Sequence, residues 1–105
     1  MSSDNKQYKL VISDKAAEML IRHAAFIAKV SVPAAENLRE SFMNSIKSLA
    51  TFPERNACLE DTALPMNKYR KMLVEKQYLL IYQIKGDTVY IDYIVDCRQD
   101  YKWLL

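Results

Sequence analysis

The apolar positions along this chain change their period twice. Tyr8-Lys9-Leu10-Val11-Ile12-Ser13 alternates and is rich in strand formers, which predicts a first strand. Ser13 or Asp14 then stands where a helix needs a cap. Beyond it Ala16, Ala17, Leu20, His23, Ala24 and Ile27 recur at steps of three and four, so they form one apolar stripe on a helix that ends near Lys29-Val30. A second helix begins at once. Ser31 or Val32 is its cap, and Pro33 falls in the first turn, where a missing N–H costs nothing. Glu36 sits early, which suits the helix dipole. Ala35, Leu38, Phe42, Ile46 and Leu49 give this helix a strong apolar face, and Arg39, Glu40 and Lys47 lie off it. So short a link makes the two helices an antiparallel hairpin.

Phe52-Pro53 stops the second helix, and 53–65 reads as a polar, irregular loop, long enough to be functional. The period then shifts to two. Residues 68–75 (KYRKMLVE), 78–85 (YLLIYQIK) and 88–96 (TVYIDYIVD) predict three strands joined by Lys76-Gln77 and Gly86-Asp87. Links this short force antiparallel hairpins, and Gly-Asp is a type II′ signature because its first residue needs positive φ. The fold class is α+β, in the order β-α-α-β-β-β. The helical hairpin packs on one face of a small, mainly antiparallel sheet, because neither layer can bury its apolar side alone. Residues 1–105 make one domain, with polar residues 1–7 a frayed end.

Composition adds limits. The net charge is only +2, but residues 66–85 carry Lys68, Arg70, Lys71, Lys76 and Lys85 against Glu75 alone. That excess permits an anionic partner and falls well short of a dedicated nucleic-acid binder; lysines that keep strand edges soluble account for it equally well. Cys58 and Cys97 are the only cysteines, and His23, the only histidine, sits in the helical stripe as a structural residue. No ligand set for a metal assembles from these, and no cofactor is expected. No apolar run approaches the roughly 18 residues of a membrane span, and no signal peptide is visible, so a cytoplasmic chain with reduced thiols is expected.

This order of elements resembles the ParE/RelE toxin superfamily, the plasmid-stabilisation toxins of type II toxin–antitoxin systems. Pro33-Ala34-Ala35 with Leu38, then Leu49-Ala50-Thr51-Phe52-Pro53-Glu54-Arg55, is similar to the second helix and its ending in ParE-like chains. Tyr69-Arg70-Lys71-Met72-Leu73-Val74 and Tyr78-Leu79-Leu80-Ile81-Tyr82-Gln83-Ile84 resemble the two strands that follow. Asp96-Cys97-Arg98-Gln99-Asp100-Tyr101 resembles the Arg-containing tail. The resemblance spans about residues 8–104. It implies one of two poisons. RelE-like members cut mRNA on the ribosome, and ParE-like members bind and block DNA gyrase. Both are neutralised by a small antitoxin that wraps the toxin, and operator DNA is reached through that antitoxin.

Metal-free RNA cleavage needs cations on the scissile phosphate together with an acid and a base. By the resemblance, Arg70 and Arg98 match two of the basic positions and Tyr101 offers a tail hydroxyl, making these three the catalytic candidates. Met72 and Leu79 stand where further cations are expected. Losing one preorganised charge contact costs about 3–4 kcal/mol at a transition state, so two losses tilt the reading towards a gyrase-binding, non-catalytic toxin. Ion pairs of Arg70 or Arg98 with Glu75, Asp92 or Asp96 are the bland alternative.

Alternation puts Leu79, Ile81 and Gln83 on one face of their strand, and it sets Tyr90, Asp92, Ile94 and Asp96 opposite to Val89, Ile91, Tyr93 and Val95. Leu79, Ile81 and Tyr90, with Trp103 and Leu104 at the C-terminal end, are therefore candidates for partner binding. A central strand buried on both faces, and a tail folded back on the sheet, remain the alternatives. Three functions stay in play: a gyrase-directed toxin, a ribosome-dependent endoribonuclease, and a non-toxic relative that only binds its antitoxin.

Overall fold

The computed structural model describes residues 7–56 and 68–97. Strand β1 (Lys9–Ile12) runs straight into α1 (Asp14–Ala28). The junction is Ser13, whose backbone stays extended while its hydroxyl accepts the Ala16 N–H at 2.9 Å. Helix α2 (Val32–Ser48) starts the same way, with the Ser31 hydroxyl accepting from Ala34 and Pro33 in the first turn. It ends at Ser48 with Leu49 as its cap, and Phe52 then turns left-handed at φ 58° into a single 3-10 turn, Pro53–Arg55. Strands β2 (Arg70–Val74), β3 (Tyr78–Lys85) and β4 (Thr88–Asp96) complete the chain. The β-α-α-β-β-β order expected from the periodicity is the one observed. Gln7 does not fray: its side chain bonds Thr51, and the next residue's N–H donates to the Ala50 carbonyl.

The strands lie in the order β1-β4-β3-β2. Both neighbours of β3 pair antiparallel to it, as the short links require. Strand β1 pairs parallel to β4, so the antiparallel ribbon carries one parallel edge. A parallel partner needs a long connection, and everything between Ser13 and Asp87 serves as that connection.

Strand β4 carries one residue too many. Tyr82 faces Ile91 while Ile81 faces Tyr93, which leaves Asp92 as a bulge. The extra residue reverses the alternation expected from the sequence. Val89, Ile91 and Ile94 all point to the helices, whereas Tyr93 and Val95 join Leu79 and Ile81 on the other face.

The main core lies between the sheet and the hairpin. Leu38, Phe42, Ile46 and Leu49 of α2 meet Tyr78, Leu80 and Tyr82 of β3 and Val89, Ile91 and Ile94 of β4. Phe42 stands edge-on to Tyr78 at 5.5 Å, and His23 packs against the same ring at 5.3 Å, which gives that histidine its structural place. On the opposite face Tyr69, Leu79, Ile81 and Val95 form a second, smaller cluster. Residues Tyr78 to Gln83 of β3 are therefore buried on both sides.

The two hairpin turns differ in strain. Gly86 takes φ 61° between Lys85 and Thr88, and Asp87 stays at negative φ, as a type II′ turn demands. The β2–β3 turn is one residue longer than expected, spanning Glu75, Lys76 and Gln77. Glu75 and Lys76 sit at φ 53° and 64°, where a side chain costs about 1–2 kcal/mol each. The Ser41 hydroxyl donates to the Glu75 carboxylate at 2.7 Å and ties the turn to α2. Lys76 has no such contact among the described residues. Lys76→Gly should therefore raise stability by about 0.5–1 kcal/mol, read as a higher Tm, while Glu75→Gly gains less because it also removes the tie to Ser41.

Candidate functional site

The residue at the first basic position of β2 is committed to the chain itself. Arg70 Nη1 donates to the Asn56 carbonyl at 2.6 Å and to the Glu54 carbonyl at 3.2 Å. Tyr82 lies beside it in the register, and its hydroxyl donates to the Pro53 carbonyl at 2.7 Å and accepts from the Asn56 amide at 3.0 Å. Arg55 completes the arrangement from the helix side. Its guanidinium donates to the carbonyls of Ser48, Thr51 and Phe52 and to the Ser48 hydroxyl, closing the C-terminal end of α2. Two arginines and a tyrosine thus hold residues 48–56 in place. The ion pair considered for Arg70 with Glu75, Asp92 or Asp96 is not what engages it. Burial pushes the Tyr82 phenol above its ordinary pKa, against smaller lowering influences from Asn56 and the two arginines.

Arg70 and Leu79 do not share a site. Arg70 and Met72 stand opposite Tyr82 and Leu80 on the helix side of the sheet, whereas Leu79 stands opposite Leu73 on the other side. The β2 side chains beside Leu79 and Ile81 are Lys71 and Leu73, both exposed. Leu79 is only 9% exposed and Ile81 is fully buried. Neither offers a partner a surface, which corrects the expectation for both. Their burial follows from the central position of β3 and from Tyr69, Tyr93 and Val95 packed around them. Tyr90 remains half-exposed on that face, with the Lys85 ammonium 5.6 Å from its ring. Arg98, Tyr101, Trp103 and Leu104 lie outside the described residues.

Sequence reasoning missed the apolar surface that the helices leave uncovered. A cleft of about 390 Å³ runs between α1 and α2, with Ile12, Ala17, Leu20, Ile21, Ala24, Met43, Ile46 and Ile94 as its walls and Arg39 at its rim. Ile21 is 67% exposed and Met43 40%. The signal was present: Ile21 and Met43 are apolar residues placed off the core stripe of each helix. Ile12 at the end of β1 belongs to this apolar surface, whereas Val11, paired with Tyr90, is exposed on the other face.

Among the described residues no three His, Cys, Asp or Glu side chains gather as a metal set, and no helix is long and apolar enough to cross a membrane. Cys97 is a free thiol whose pKa is pushed up by burial and by Asp96.

This architecture is that of a toxin–antitoxin component. The solved structure described as "Chromosomal ParDE TA system from P. aeruginosa" superposes with a TM-score of 0.70, covering 88% of this chain and 98% of that one at 17% identity. The family described as "ParE toxin of type II toxin-antitoxin system, parDE" matches residues 10–101, and the chain belongs to that family. No curated protein matches it in sequence.

Two outcomes follow for Tyr82. Tyr82→Phe leaves the Pro53 carbonyl and the Asn56 amide without their partner and should cost about 1–3 kcal/mol in denaturant unfolding at neutral pH. Its raised pKa means that the unfolded phenol ionises first. Wild-type stability should therefore hold below the ordinary value of 10.0 and fall as pH rises past it, with a shallower fall in Tyr82→Phe.

Proposed function

We propose that this ParE-family toxin arrests growth by binding DNA gyrase in the cytoplasm, without cutting RNA, and that a cognate antitoxin neutralises it by filling the cleft between α1 and α2. The observation that carries the first part is the use of charge. A metal-free ribonuclease needs cations fixed beforehand around one phosphate. Here Arg70 is turned to the helix side and engaged by two carbonyls, and Leu79 and Ile81 on the other face are apolar and buried. Lys71, opposite Ile81 on that face, is exposed. Family membership supports the toxin role.

The apolar walls of the cleft support the second part. A partner segment that presents a stripe of aliphatic side chains and one acidic group for Arg39 matches them in chemistry. The antitoxin is then also the route by which the pair reaches operator DNA.

Expression of the chain without antitoxin should induce the DNA-damage response, and the purified protein should inhibit supercoiling by gyrase while bulk mRNA stays intact. Rapid loss of mRNA without a DNA-damage response would instead favour the ribonuclease reading, and normal growth would favour a relative that only binds antitoxin. Ile21→Glu should weaken the antitoxin complex by about tenfold or more, because burying an isoleucine is worth about 1.5–3 kcal/mol. Its inhibition of gyrase should be unchanged. Equal antitoxin affinity, measured by calorimetry, would place the antitoxin elsewhere.

A further inference from the structure

The bulge in β4 shapes a second surface, on the side of the sheet away from the helices. Asp92 and Tyr93 are half-exposed there and, with Ser13 and Lys15, line an open hollow of about 280 Å³. Asp92 is held in place: its backbone carbonyl accepts the Ser13 hydroxyl at 3.0 Å, and its carboxylate accepts the Gln83 amide at 2.6 Å. That bond engages one of the two carboxylate oxygens. Tyr90 follows along the same strand on the same face, opposite Gln83. Around these groups stand exposed lysines. Lys85 lies over the Tyr90 ring at 5.6 Å, and Lys68 lies over the Tyr69 ring at 5.3 Å. Tyr69 in turn packs on Tyr93 at 6.3 Å, and the Lys68 charge is felt at the Tyr93 phenol. Lys15 is at the mouth of the hollow and Lys9 on the outer face of β1 beside Thr88.

The pattern is therefore two half-exposed aromatic rings on one strand, a fixed carboxylate between them, and cations at the margin. Each part fits one part of a nucleotide. Aromatic rings on an open sheet stack bases whatever their identity. Marginal lysines meet the phosphates. A carboxylate accepts from an exocyclic amino group, as aspartate does from cytosine. An acidic peptide would match the lysines but would set its own carboxylates against Asp92. A duplex hides its base faces from Tyr90 and Tyr93.

We propose that this face binds single-stranded nucleic acid, with one base in the hollow beside Tyr93 and Asp92 and the strand running towards Tyr90 and Lys85. The site lies apart from the cleft between the helices. It binds without cutting, because its cations are exposed lysines at the margin of the site.

The test is fluorescence anisotropy of the full-length protein with labelled 12-nucleotide DNA and RNA single strands of mixed sequence, and with the matching DNA duplex. Either single strand or both should bind more tightly than the duplex, with a log–log salt slope of about −2 for the three phosphates met by Lys15, Lys68 and Lys85. The probe should be recovered uncut. Combining Lys15→Glu, Lys68→Glu and Lys85→Glu should weaken binding by roughly tenfold or more. All three side chains are exposed, and circular dichroism checks that the variant folds. Asp92→Asn should weaken binding of oligo-dC more than binding of oligo-dT. No single-strand binding at low salt, equal binding of duplex, or an unchanged affinity in the triple variant would each overturn the proposal.

Discussion

The structure depends on what Ser13 does with three hydrogen bonds. Its N–H donates to the Ile91 carbonyl at 2.9 Å, which continues the parallel pairing of β1 with β4. Its hydroxyl accepts from Ala16 and so starts α1. The same hydroxyl donates to the Asp92 carbonyl, the backbone group that the bulge takes out of the ladder. One short side chain thus joins the edge strand, the first helix and the irregularity in β4. The bulge then decides which side chains of β4 meet the helices.

Much of this was legible in the chain. Helix starts at Ser13 and Ser31, the stop at Phe52-Pro53 and the turn at Gly86 all carry local chemistry that only a few residue types supply. The β2–β3 turn was misjudged by one residue because Glu75 and Lys76 give no sign of left-handed backbone; their conformation is imposed by the strands and by the contact with Ser41. The bulge did leave a trace. Val89 and Ile91 are odd-numbered while Ile94 is even, and β-branched side chains bound for one core change parity only if a residue is inserted between them. Strict alternation ignored that change and assigned the later residues of β4 to the wrong faces. The parallel partner of β1 had no local signal, since it lies some eighty positions along the chain.

The site was harder to read for a physical reason. A guanidinium carries five donors and no preference, on sequence grounds, between a phosphate, a carboxylate and a carbonyl. Arg70 finds carbonyls because Phe52 bends the chain and presents those of Glu54 and Asn56 to it. Leu79 and Ile81 were judged by their strand alone, and burial belongs to the whole sheet. The uncovered cleft needed the crossing of two helices to exist at all. Ile21 and Met43 are unremarkable singly and form a surface only when the hairpin brings them together.

The distance between β1 and its partner has a temporal meaning. Ser13 and Asp92 are 79 residues apart in the chain, so β1 is made first and finds its place in the sheet last. Until β4 exists, the cap on α1 lacks its anchor and the β4 side of the main core is missing. Contacts of such long range slow folding, because the loop must close before the contacts reward it. A growing chain therefore spends most of its synthesis with one apolar strand and one apolar helix stripe unsatisfied, and its final form arrives abruptly with the last hairpin.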